Sequence, residues 1–167
     1  LTTADYMRKL DYRGMFKSIR ETEKSQIMEL SDEVYYLMLY LPCFLKCQEK
    51  ELVFTSGGTE SNNMAIIGTA MANKRRGNHV IVSSVEHSSV KEPFNFLEEQ
   101  GFEITYLPVN HDGVISVEEL KNAVREDTIL VSLMHVNNEI GAVMPIEEAG
   151  AAIKEKNPAT LFHVDAI

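Results

Sequence analysis

At 167 residues, 44% hydrophobic and 25% charged, the chain has the length and composition of one globular domain with a core of ordinary size. A net charge of -9 argues against a general binder of nucleic acid or anionic membranes, which meets phosphates with basic patches. It leaves open a local anion site built from backbone N–H groups.

The first fifty residues read as helical. Tyr6, Leu10, Met15 and Ile19 recur at roughly helical spacing with charges between them. Val34 to Leu41 is apolar almost all round, which predicts burial, and Pro42 should end or kink that helix. The run VYYLMLYLPCFL is far short of the ~20 residues a bilayer needs. Cys43 and Cys47 are the only cysteines, too few for a disulfide framework, which points to a reducing, cytoplasmic setting. Their C-x-x-x-C spacing has no matching pair, so they read as buried thiols on successive helical turns and not as a metal site. No signal peptide is visible, the chain begins with Leu, and it ends at VDAI just after a strand pattern. The expectation is a partial chain.

From Glu51 the texture changes, and the chain divides into a helical segment over 1–50 and a second domain over 51–167. LVFTS is a short apolar strand, followed by a helix from Asn62. HVIVSS (79–84) is a second strand, with a helix through Val90 to Gln100 that Gly101 closes in the left-handed region. EITYLPV (103–109) is a third, and His111-Asp112-Gly113 supplies a turn. Ser116 stands three residues before Glu119 in capping-box spacing, ahead of another helix. ILVSLMHV (129–136) is the most apolar strand, and a helix from Ile146 to Lys156 leads to LFHVD (161–165). Strands alternating with helices predict an α/β fold, a mostly parallel sheet with flanking helices and right-handed crossovers.

Ligands of such sheets bind outside the carboxyl ends of the strands. Those ends carry Ser56-Gly57-Gly58-Thr59, Glu86-His87, His135 to Glu139, and Asp165. Each has a plain alternative. The glycines turn the chain, Thr59 or Ser61 caps a helix, His87 caps the next, Asn137 and Asn138 are turn residues, and Asp165 is an N-cap. Together they set glycines, an imidazole, an amide and a carboxylate on one rim. SGGTES is neither G-x-G-x-x-G nor a Walker loop, so a dinucleotide or nucleotide-triphosphate reading lacks support. A glycine-rich helix start for one phosphate, an imidazole to stack on a ring and a carboxylate for a ring nitrogen suggest pyridoxal phosphate. A metal role for His87, His135 or His163 is not favoured. His135 and His163 sit in apolar strands, where a satisfied core histidine is the commoner outcome.

FTSGGTESNN, SSVEHSSV, DTILVSLMHVNNEIGAVMPI and FHVDA, in this order, resemble the cysteine desulfurases, fold-type I pyridoxal-phosphate enzymes of the class V aminotransferase group, which also holds selenocysteine lyases. The resemblance covers about residues 51–166. It implies that Gly58 and Thr59 hold the cofactor phosphate. It further implies that His87 stacks on the pyridine ring and takes part in proton transfer as the catalytic residue. Asn138 bonds the phenolic oxygen, and Asp165 pairs with the protonated ring nitrogen. The family moves sulfur from L-cysteine to an enzyme cysteine, leaving alanine, in support of iron–sulfur cluster assembly. Its members are homodimers that hand sulfur to an acceptor or scaffold protein.

Departures from the family pattern are equally legible. The Ser-x-His-Lys motif of the Schiff-base lysine, the persulfide cysteine, the substrate-binding arginine and the small domain all belong beyond Ile167. Neither Cys43 nor Cys47 matches a family motif. Residues 1–42 carry no family motif either and are of unknown origin. The expectation is therefore the cofactor-binding portion of a desulfurase, inactive as this chain. The alternatives are a non-catalytic remnant or binding module of the same ancestry, or a fragment of a selenocysteine lyase.

Overall fold

Strands alternating with helices predict layers, and layers are what the computed structural model shows over the residues it describes, 40–167. The helical reading of residues 1–39, including the burial of the apolar run from Val34, lies outside the described residues. The chain forms two compact units, Leu1–Val53 and Phe54–Ile167.

In the first unit residues 40–45 are helical, and a 3-10 turn follows at Glu49–Glu51. The helix does not stop at Pro42. It runs on to residue 45 and closes in a Schellman motif: Cys47 N–H donates to the Pro42 carbonyl at 3.0 Å and Lys46 N–H to the Cys43 carbonyl at 3.4 Å. Lys46 takes the left-handed position with φ 55°, where glycine is usual. The expected pair of buried thiols is not formed: Cys43 is exposed and Cys47 half-buried, because only Cys43 lies within the helix.

The second unit holds four helices and four strands in strict alternation. In chain order they are α1 (Gly58–Asn73), β1 (His79–Ser83), α2 (Ser88–Glu99), β2 (Glu103–Leu107), α3 (Val117–Ala123), β3 (Thr128–Met134), α4 (Ile146–Lys156) and β4 (Leu161–Asp165). The strand order is β2-β1-β3-β4 and every pairing is parallel. The predicted strand LVFTS does not form. Residues 52–55 have no regular structure, and Val53 and Phe54 stay largely exposed, with no ladder to join among the described residues. Its helix starts earlier than Asn62, at Gly58.

β1 and β3 are buried along their whole length, as strands covered on both faces must be. Their side chains alternate between two cores. Val80, Val82 and Leu130 pack with Ile66 and Ala70 of α1 and with Val90, Phe94 and Leu97 of α2. Ile81, Val131 and Leu133 pack with Leu120 of α3 and with Ala149 and Ile153 of α4. The register slips once, His79 pairing Thr128 but Val80 pairing Leu130. Ile129 is the extra residue, so it joins Leu130 in the same core. His79, fully buried at the slip, is satisfied by the hydroxyls of Thr128 at 2.7 Å and Thr105 at 2.8 Å.

β2 follows β1 on one side and β3 lies on its other side, so the chain reverses its direction of travel across the sheet between β1 and β3. That switch point leaves a crevice at the carboxyl ends of the two strands.

Candidate functional site

The crevice is a cleft of about 310 Å³, lined from four directions. Gly58 and Thr59 come from the start of α1, His87 and Ser89 from the start of α2. Met134, Val136 and Asn138 follow β3, and Asp165 ends β4, with Ile167 at the rim. All five residues to which the sequence assigned cofactor contacts, Gly58, Thr59, His87, Asn138 and Asp165, line this one cleft.

The start of α1 has the backbone donors that could hold an anion. Its N-cap is Gly57, whose lack of a side chain leaves the first-turn N–H groups without a side-chain cap. A sixteen-residue helix adds its dipole to those donors. The loop before it is braced by Glu60, whose Oε2 accepts from Ser56 N–H at 2.6 Å and Ser56 Oγ at 2.7 Å. The two hydrogen bonds from Ser56 hold the Glu60 carboxyl below its usual range.

His87 is the N-cap of α2, as one reading of the sequence had it. Its Nδ1 accepts from Ser89 N–H at 3.1 Å and lies 2.8 Å from Ser89 Oγ. Asp165 Oδ2 accepts from Asn62 Nδ2 at 3.0 Å, and Oδ1 from Ile167 N–H at 3.3 Å. The two asparagines after β3 divide their work. Asn137 is buried and structural, donating to the Val85 carbonyl at 3.0 Å and accepting from Glu139 and Ile140 N–H. Asn138 is exposed in the cleft, its Nδ2 donating to Glu139 Oε1 at 3.0 Å.

Glu86, Asn62 and Ser89 were not singled out by the sequence, and the structure puts each against the cleft residues. Glu86 is buried where β1 meets β3. Its Oε1 accepts from Ser83 Oγ at 2.5 Å and Met134 N–H at 2.8 Å, while Oε2 is buried with no partner. Burial, aided by the nearby Asp165 charge, pushes its pKa up to about 6. The only sequence signal was its place beside His87 at the end of an apolar strand.

The other histidines lie apart. β3 ends at Met134, so His135 is exposed beyond the strand and not the core histidine expected. His163 is half-buried in β4 with Nδ1 2.8 Å from Ser132 Oγ, and burial lowers its pKa. Among the described residues no group of three His, Cys, Asp or Glu is placed to hold a metal ion.

A phosphate cradle, an imidazole, an amide and a carboxylate on one cleft fit pyridoxal phosphate in their donor chemistry. A negative phosphate meets N–H groups, and a cationic ring nitrogen meets a carboxylate.

A family model for Aminotransferase class-V matches residues 39–167. The cysteine desulfurase IscS of Clostridium botulinum is 50% identical over 123 residues, 74% of this chain and 30% of that protein. The mitochondrial cysteine desulfurase of Eremothecium gossypii is 43% identical over 155 residues, 93% of this chain and 31% of that protein. An alignment of that length takes in most of residues 1–42, the segment without a family motif. Among solved structures, a NifS-like protein superposes with a TM-score of 0.76 at 34% identity, covering 95% of this chain and 46% of that one. The chain thus spans about 30% of the length of the curated relatives it matches.

Proposed function

The chain belongs to the class-V aminotransferase family, and from that premise we propose that its cleft is the pyridoxal-phosphate site of a cysteine desulfurase. The observation that carries this reading is the convergence of Gly58, Thr59, His87, Asn138 and Asp165 on one cleft at the switch point of the sheet. The relatives' names supply the substrate, L-cysteine.

Pyridoxal phosphate, when bound, supplies an electron sink for bonds at the α-carbon of an amino acid. The chain's own residues hold and orient it. The first-turn N–H groups at Gly58 and Thr59 bind the phosphate, and the Asp165 carboxylate keeps a proton on the ring nitrogen. Asn138 Nδ2 is the donor for the phenolic oxygen, and the His87 ring covers one face. The overall transfer takes the sulfur of L-cysteine to an enzyme thiol, giving alanine and a persulfide. No lysine and no cysteine is among the residues that line the cleft. The polypeptide of residues 1–167 is therefore expected to bind the cofactor without turning over cysteine. A homodimer, a sulfur-accepting partner in iron–sulfur assembly and a reducing, cytoplasmic setting complete the proposal.

Absorbance titration with pyridoxal phosphate tests it. The reading predicts a saturable shift of the cofactor band that is lost in Asp165→Ala and weakened in His87→Ala. No shift, or one unaffected by either substitution, favours a remnant that no longer binds.

A further inference from the structure

A chain of hydrogen bonds runs from Asp165 to His87 through two side chains with no assigned role. Asn62 is buried, and its Nδ2 lies 3.0 Å from Asp165 Oδ2 and 3.0 Å from Ser89 Oγ. Ser89 is buried too, with Oγ 2.8 Å from His87 Nδ1 and its backbone N–H donating to the same nitrogen at 3.1 Å.

The directions of these bonds follow from which groups can donate. A carboxylate only accepts, so the amide nitrogen of Asn62, and not its oxygen, must face Asp165. The second amide hydrogen is then given to Ser89 Oγ. The serine hydroxyl accepts there and has its own hydrogen left for His87 Nδ1. That nitrogen is met by two donors, one side chain and one main chain. A neutral imidazole whose Nδ1 accepts carries its proton on Nε2.

We propose that Asn62 and Ser89 are positioning residues that link Asp165 to His87 and hold the imidazole as its Nε2–H tautomer, so that His87 offers the cleft a hydrogen-bond donor. A neutral imidazole fixed at a helix start in this way is a recognised electrophile in other enzymes. Taking up a proton at Nε2 requires a change of tautomer first, and Ser89 opposes that change with both of its donors. The consequence for catalysis rests on the cofactor reading above, but the tautomer itself does not.

Long-range 1H–15N correlation spectra of the 15N-labelled chain, recorded without cofactor at a pH where the imidazole is neutral, read the tautomer directly. His87→Gln identifies the resonances. The wild type and Ser89→Thr should show the Nε2–H pattern. In Ser89→Ala the Nδ1 resonance should move toward that of an unbonded imine nitrogen, because the hydroxyl donor is gone, and in Asn62→Ala it should move the same way by less. An Nδ1–H pattern in the wild type overturns the proposal, with no need of any variant to fold. So does a folded Ser89→Ala whose Nδ1 resonance stays at the wild-type position. Binding of pyridoxal phosphate is titrated on the same sample. The Nε2–H pattern without binding sinks the cofactor reading alone, and binding with the Nδ1–H pattern sinks the relay alone.

Discussion

Glu86 sits buried between the ends of β1 and β3, one carboxyl oxygen bonded twice and the other unmet. Its pKa is raised from 4.5 to about 6, burial being the chief cause. A raised carboxyl stabilises the fold fully below the ordinary value of 4.5 and loses that contribution as pH rises through about 6. The cost at pH 8 is roughly 2 kcal/mol, at 1.36 kcal/mol per pKa unit. Glu86→Gln keeps the accepting oxygen and removes the titration. Urea unfolding should find it more stable than wild type by up to about 2 kcal/mol at pH 8, with that relative gain nearly gone at pH 4, below the ordinary value of 4.5. An equal difference at both values contradicts the assignment. The residues legible in the sequence were those in a recognisable local motif at a helix start or after a strand: Gly58, Thr59, His87, Asn138 and Asp165. Asn62 and Glu86 were not legible because they also bond remote partners, and Ser89, two positions from His87, meets Asn62 only in the fold. Asn62 reaches Ser89 across 27 positions and Asp165 across 103, and Glu86 reaches Met134 across 48. Only the folded sheet makes those pairs.

Helix ends and close approaches decide the element scale. Gly101 closes α2 with φ 85°, Phe102 N–H donating to the Leu97 carbonyl at 3.0 Å and Gly101 N–H to the Glu98 carbonyl at 3.0 Å. Phe102 then packs in the core with Leu97, the apolar contact that accompanies this motif. Gly101→Ala meets open space and should cost only the left-handed penalty, about 1 kcal/mol. Gly77 is different, because a Cβ there would strike the backbone carbonyl of Asp127, and backbone cannot swing aside as a side chain can. Gly77→Ala should therefore destabilise more than Gly101→Ala in urea unfolding, and the reverse order contradicts the close-approach account. Gly101 was readable in advance, since a glycine after an amphipathic helix has a local cause. Gly77 was not, since its constraint comes from the remote turn that leads into β3. The strands β1 and β3 were readable as apolar runs, whereas LVFTS has the same composition and forms none. Composition licenses a strand, but a ladder partner makes one.

At the scale of the molecule, two fully buried strands flanked by two half-covered ones place the switch point, and with it the cleft, over β1 and β3. A ligand that binds only the folded state must raise its stability. Pyridoxal phosphate at a hundredfold over its Kd should therefore add about 2.7 kcal/mol. The accompanying rise in Tm should vanish in Asp165→Ala, and a rise of the same size in that variant would mean the ligand binds elsewhere. The central claim is that this cleft, and no other surface of the chain, takes the cofactor. Amide 1H–15N spectra of the labelled 167-residue chain, titrated with pyridoxal phosphate, test it most directly. The account predicts saturable shifts centred on Gly58, Thr59, His87, Asn138 and Asp165. A spectrum that does not change, or shifts that cluster away from the ends of β1, β3 and β4, would contradict it.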